Sequence, residues 1–194
     1  NYALFDGGLS GSSSYHNTVD AYDTSLTHST PTALSVARYG SAGASVGNYA
    51  LFAGGYRGTY SDTVDAYDTS LTRSTPTVLS VARRNLAGAR VDNYALFAGG
   101  QTGSSSYSNT VDAYDTSLTR STPTALSVRR QTPAGASVGD YALFAGGQAG
   151  SSSYSDAVDA YAPSVPPAPT VILDMPIGTK YKFGESEEIA TTNE

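Results

Sequence analysis

The chain has 194 residues, of which only 14% are charged, and a formal net charge of −6. The last stretch, Asp174 to Glu194, holds five acidic and two basic residues and so carries half of that charge, leaving the rest nearly neutral. This balance excludes the basic stripe that nucleic-acid binding requires. No apolar run approaches the ~18 residues of a membrane helix, so no membrane insertion is expected. Cysteine is absent, which removes disulfides, thiolate metal ligands and cysteine nucleophiles together.

Four near-copies of one segment begin at Asn1, Asn48, Asn93 and Asp140, giving spacings of 47, 45 and 47 residues. A period in the 20–50 residue range marks a repeat architecture, in which each unit buries its apolar face only by stacking on a neighbour. No signal-peptide pattern is read in the sequence, which opens on Asn rather than Met at the start of a repeat and so reads as a processed product or a fragment.

The copies open with Tyr-Ala-Leu-Phe-Ala-Gly-Gly, Asp6 standing for the second alanine in the first. Tyr49, Leu51 and Ala53 alternate with Ala50 and Phe52, so both faces are apolar, as in a strand sandwiched between neighbouring sheets. The Gly-Gly that follows permits a tight bend. A variable loop leads to Thr-Val-Asp-Ala-Tyr-Asp, a second strand. Ser-Thr-Pro-Thr-Ala-Leu-Ser-Val reads as a third, more polar strand that its proline places at an edge. Ala-Gly-Ala-Ser-Val-Gly is a fourth, built of small residues, at Ala42–Val46, Gly88–Val91 and Gly135–Val138. No segment has a helical period.

The side chains grade from smallest in Ala-Gly-Ala-Ser-Val, through bulkiest in Tyr-Ala-Leu-Phe-Ala, to polar in the proline-bearing strand. A propeller blade needs this order from axis to rim. The expected fold is therefore all-β: a β-propeller of about four four-stranded blades, or part of a larger ring. A parallel β-helix is the weaker alternative, because the period exceeds one typical coil. The propeller repeats span residues 1–174, with a fourth outer strand expected at Thr170–Leu173. Residues 175–194 form an acidic tail: the inner strand that the first copy lacks is expected either from upstream sequence or from Thr179–Phe183, and the polar end after Phe183 reads as disordered or as a linker to another domain.

A strand ending in Gly-Gly, a variable loop and a strand ending in Tyr-Asp resemble the kelch repeat, from Asn1 to about Asp159. The resemblance departs in one respect. Kelch blades usually carry a Trp after the Tyr-Asp, whereas Leu26, Leu71, Leu118 and Val165 stand near that position here. The resemblance extends to kelch-like arrays of bacteria and their phages, and implies a virion, extracellular or cell-surface setting. Copper-oxidase kelch propellers need a Cys-linked Tyr, which a Cys-free chain cannot form.

In an up-and-down blade alternate connections share a face. The loop after Gly-Gly and the loop after Leu-Ser-Val therefore lie together, and the differences among the copies concentrate in them. Tyr15, Tyr60, Tyr107 and Tyr154 recur in the first loop, and Arg38, Arg83, Arg84, Arg129 and Arg130 stand in the second. Tyr with Ser, Gly, Asn and Arg is the composition of adaptable recognition surfaces. The alternative is that each Tyr packs over its own hairpin. The Asp pairs of Val-Asp-Ala-Tyr-Asp (Asp20 and Asp23, Asp65 and Asp68, Asp112 and Asp115) invite a metal or acid–base reading, but Asp at such positions more simply forms turns. With two histidines, His16 and His28, both in the first copy, a zinc site is not expected. No cofactor is expected. The leading expectation is a non-enzymatic binding or structural module that takes a protein partner through one face. The alternatives are lectin-like carbohydrate binding and, third, a glycan-active enzyme, for which no asymmetric carboxylate pair stands out.

Overall fold

The computed structural model describes residues 1–163, 180–183 and 186–189, and among these the chain is strand, turn and loop without helix. Two compact units divide it, Asn1–Pro163 and Ser164–Glu194.

The first unit is built from antiparallel sheets, one main sheet per copy of the repeat and one small hairpin sheet beside the third. In the first copy β1 (Tyr2–Ser10) pairs with β2 (Ser14–Asp23), which pairs with β3 (His28–Ser29). In the second, β4 (Ala42–Val46), β5 (Tyr49–Ala53), β6 (Val64–Tyr67) and β7 (Arg73–Ser74) lie side by side in chain order. The third copy repeats this with β8 (Ala87–Val91) and β9 (Tyr94–Ala98), then a small hairpin of β10 (Gln101–Gly103) and β11 (Ser106–Tyr107), then β12 (Val111–Asp115) and β13 (Arg120–Ser121). The fourth supplies β14 (Ala134–Val138), β15 (Tyr141–Ala145) and β16 (Val158–Tyr161). In the second unit β17 (Lys180–Phe183) pairs antiparallel with β18 (Ser186–Ile189). Thr179 and the outer strand expected at Thr170–Leu173 lie outside the described residues.

The sheets stack face to face in chain order. Leu51, Ala53, Val64 and Ala66 of the second sheet share one cluster with Ala95, Phe97 and Tyr114 of the third. Ala89, Leu96, Ala98 and Val111 of the third share another with Ala142 and Phe144 of the fourth. Val19, Leu34, Phe52 and Tyr67 join the first sheet to the second. In the second and third sheets the two-sided apolar pattern of Tyr-Ala-Leu-Phe-Ala thus has a partner on each face.

The small-residue strands come closest to one another. A Cβ added at Gly88 would strike the carbonyl oxygen of Gly43, and one at Gly135 the carbonyl oxygen of Gly88. Only glycine permits that approach. At the other end of the hairpin, Gly54 and Gly55 take φ of 71° and 116°, the left-handed region that L side chains avoid.

The third strand is much shorter than its sequence suggests. Only two residues pair in each of the first three copies, His28–Ser29, Arg73–Ser74 and Arg120–Ser121. The proline that follows donates no N–H to the ladder. The segment Pro-Thr-Ala-Leu-Ser-Val then crosses irregularly onto the next sheet, where Leu34, Leu79 and Leu126 are buried.

Candidate functional site

Three of the nine residues expected on a recognition face are elsewhere. Arg38, Arg83 and Arg130 are fully buried and lock each sheet to the next. Arg38 donates from Nη1 to Asp65 Oδ2 at 2.7 Å and from Nη2 to the Phe52 carbonyl at 3.1 Å. Arg83 does the same to Asp112 at 2.8 Å and Phe97 at 3.0 Å. Arg130 repeats it through Nη2 on Asp159 at 2.7 Å and Phe144 at 3.0 Å. The crossing segment adds to the same carboxylates: the backbone amides of Ser35, Ser80 and Ser127 donate to Asp65, Asp112 and Asp159. Arg73 and Arg120 reach Asp65 and Asp112 from their own sheets at 3.0 and 2.9 Å. The three arginines are therefore corrected from candidate anchors to structural counter-ions; their fork geometry suits a carboxylate plus a carbonyl.

Burial opposes ionisation of Asp65 and Asp112, but the arginine charges and hydrogen bonds outweigh it and hold both carboxyls below the usual range. Asp159 is lowered in the same way, with the Ser127 amide the largest favourable contributor. Burial pushes the Tyr67 phenol up to about 12, helped by the neighbouring Asp65 charge; its hydroxyl donates to the Thr32 carbonyl at 2.7 Å. The second aspartate of each pair does what turn chemistry predicts. Asp23, Asp68 and Asp115 each accept two backbone N–H groups from the following turn.

The remaining candidates gather at the Gly-Gly end of the sheets. Beyond the two glycines the hairpin ladder resumes for single bridges: Tyr39 to Tyr56, Arg84 to Gln101 and Gln131 to Gln148. Each is in register with the hairpin below it. The second residue also faces a tyrosine, as in Tyr56 to Tyr60, Gln101 to Tyr107 and Gln148 to Tyr154. In the first sheet Leu9 faces Tyr15. A constant backbone frame thus presents a recurring tyrosine beside two positions whose side chains change from copy to copy.

At the first two sheets these side chains merge. Tyr15 stacks parallel on Tyr39 with centroids 5.9 Å apart. Tyr39 meets Tyr56 edge-on at 5.8 Å, and Tyr56 meets Tyr60 at 5.3 Å. The Arg84 guanidinium of the next repeat lies 5.5, 4.8 and 5.7 Å from the ring centres of Tyr39, Tyr56 and Tyr60. It donates from Nε to Gln101 at 2.9 Å and from Nη1 to the Tyr39 hydroxyl. Tyr39 and Tyr56 were not among the residues nominated from sequence. They occupy the positions of Arg84 and Gln101, so a column-by-column comparison of the copies marks them as variable.

Tyr107 and Arg129 lie farther along, lining a polar groove with Ser105, Ser106, Gly150 and Ser151. Tyr154 is 79% exposed. At the opposite end of the sheets a second groove is lined by Tyr2, Leu4, Tyr49, Tyr67 and Thr69. Its one carboxylate, Asp68, is engaged by its own turn. Among the described residues no group of three His, Asp or Glu is placed to hold a metal ion, and no helix is long and apolar enough to cross a membrane.

No protein-family model and no curated protein matches the sequence. The fold is similar to the solved structure of YjhT, with a TM-score of 0.63 and 15% identity over 73% of this chain. The match covers 48% of that structure, so the chain spans about half its length. At this identity the likeness concerns the fold.

Proposed function

We propose that the chain is a non-enzymatic recognition module, built as a segment of a kelch-like β-propeller, that takes a protein partner on the tyrosine-bearing end of its sheets. The propeller reading is supported by the close approach of Gly43, Gly88 and Gly135 at one edge of the stack, where an axis would lie, and by the two-residue strands at the other. The binding reading rests on one observation: Arg84 is held by three tyrosine rings, a fourth stacks on them, and all stand on a backbone frame that is constant while the side chains at the positions of Tyr39, Tyr56 and Arg84 vary from copy to copy. Tyrosine and arginine are the residues that most often anchor interfaces. An arginine already fixed by Gln101 loses little further freedom on binding. The setting proposed is a virion, extracellular or cell-surface one.

A second reading, lectin-like binding, is favoured by the groove at Tyr107 and Arg129, where serine hydroxyls line a tyrosine face. Affinity capture from the native source and a glycan array separate the two. Arg84→Ala and Tyr60→Ala should each weaken capture of a protein partner by about 1–3 kcal/mol, the range of interface anchors. Thr69→Ala at the opposite end should leave capture intact. Equal losses from both ends would overturn the assignment of the face; array binding abolished by Tyr107→Ala would move it to the sugar reading.

A further inference from the structure

We infer that the exposed face of the first sheet is a preformed acceptor for a Ser-Val-x-Arg loop of a further repeat of this kind, with Asp20 as the waiting counter-ion. At three places in the chain the same lock is closed: a crossing segment lays its serine amide and its arginine on the aspartate of the following sheet. The first sheet carries every acceptor part of that lock. Asp20 holds the place of Asp65, Asp112 and Asp159. Phe5 and Tyr22 stand edge-on with centroids 6.1 Å apart, against 6.1, 6.0 and 5.9 Å for Phe52–Tyr67, Phe97–Tyr114 and Phe144–Tyr161. His28, in the place of Arg73 and Arg120, contacts Asp20 at 2.7 Å.

Only the donor is missing among the described residues. Phe5 is 60% exposed, whereas Phe52 is 5% and Phe97 and Phe144 are fully buried. The Asp20 side chain is 44% exposed against 0% for Asp65 and Asp112. Apolar area and a carboxylate that meets His28 but no arginine among the described residues thus stand together on a surface whose shape is copied three times in a filled state. The occupant is set by that chemistry: an extended segment with a serine amide, then an arginine three residues on. The chain's own three such loops, ending at Arg38, Arg83 and Arg130, are already engaged, so a second copy does not supply one from them. The occupant is a loop of another repeat with the same Ser-Val-x-Arg pattern.

The test titrates the full 194-residue chain with the peptide Thr-Pro-Thr-Val-Leu-Ser-Val-Ala-Arg, the sequence of residues 75–83, and follows backbone amide resonances. Saturable shifts are expected at Phe5, Asp20 and Tyr22. Asp20→Asn in the chain, or alanine for the peptide's arginine, should weaken binding at least tenfold while the chain's own melting temperature stays unchanged. A companion chain with residues 48–92 duplicated ahead of Asn1 reads the same contact in cis: there Asp20→Asn should lower the melting temperature as much as Asp65→Asn does. Absence of saturable shifts up to millimolar peptide, equal binding by the Asp20→Asn chain, or a silent Asp20→Asn in the extended chain would each overturn the inference. Shifts that appear only after residues 164–194 are removed would also overturn it, since the chain's own end would then be the occupant.

Discussion

Asp112→Asn is the sharpest test of what joins one repeat to the next. Both Asp112 and Arg83 are completely buried, and the carboxylate also accepts from Arg120 and from the Ser80 amide. Asparagine keeps the volume but removes the charge. If its oxygen stays on Ser80, its NH2 group faces the Arg83 donor; if it turns, the NH2 faces Ser80 and Arg120. Either way Arg83 remains buried without a counter-charge. Removing one partner of such a pair costs roughly 3–5 kcal/mol. Arg120→Ala breaks only the partly exposed arm, with 26% of that side chain in solvent, and should cost about 1 kcal/mol or less. Urea unfolding with linear extrapolation measures both; at a slope of ~2 kcal/mol/M the first change moves the midpoint by roughly 2 M and the second by less than ~0.5 M. Because repeats contact only their neighbours, the loss should centre on the second and third sheets in hydrogen exchange. A cost for Asp112→Asn below ~1 kcal/mol, or equal to that of Arg120→Ala, would refute the claim that this buried pair carries the junction.

Acid should unlock the same junctions. The folded-state carboxyls of Asp65, Asp112 and Asp159 lie below their unfolded value near ~3.9, so their contribution is complete above that value and is lost as pH falls through it and below; urea midpoints against pH check this. Asp6 has the opposite sign, because burial raises its carboxyl despite the Ser41 hydrogen bond at 2.8 Å. Asp6→Asn should therefore hold or raise the melting temperature at pH 7 and lose that advantage in acid. Gly88→Ala should cost at least ~2 kcal/mol, because the new methyl meets the Gly43 carbonyl, whereas Gly43→Ala meets only the Phe52 ring edge at 3.4 Å and should cost less than ~1 kcal/mol in the same melts. Phe97→Ala, which removes a fully buried ring between two sheets, should cost roughly 3–5 kcal/mol.

Much of the strand pattern was legible in the sequence because strands of this kind declare themselves locally. Tyr-Ala-Leu-Phe-Ala, Val-Asp-Ala-Tyr and Ala-Gly-Ala-Ser-Val carry their burial in their own composition, and each forms a strand within a residue or two of where that composition places it. The third strand is shorter than its composition suggests. β-Propensity in Thr-Ala-Leu-Ser-Val is real, but the proline before it cannot donate to the ladder, and the buried Leu34 and Leu79 draw the segment across to the neighbouring sheet. That pull is a tertiary contact, and no window of local sequence contains it.

The burial of Arg38, Arg83 and Arg130 is hidden from local sequence for a related reason. An Arg after Ser-Val-Ala looks like loop decoration, since arginine is seldom buried unless paired, and its partner aspartate stands 27 or 29 residues later in the next copy. The discriminating signal was present inside the chain. Arg38, Arg83 and Arg130 recur unchanged, as do Asp65, Asp112 and Asp159, whereas the very next position runs Tyr39, Arg84, Gln131. Within this array, the invariant Arg38, Arg83, Arg130 and Asp65, Asp112, Asp159 columns serve the contact that every repeat must make, which is stacking. A column that varies on a constant backbone bridge is free of that duty. Adjacent residues such as Arg83 and Arg84 can therefore have opposite fates: the first turns inward to a carboxylate and fixes the junction, and the second turns outward onto three tyrosine rings. The stability of the frame is what allows the second to be held in one geometry, so the buried pair and the exposed cluster are two consequences of the same junction.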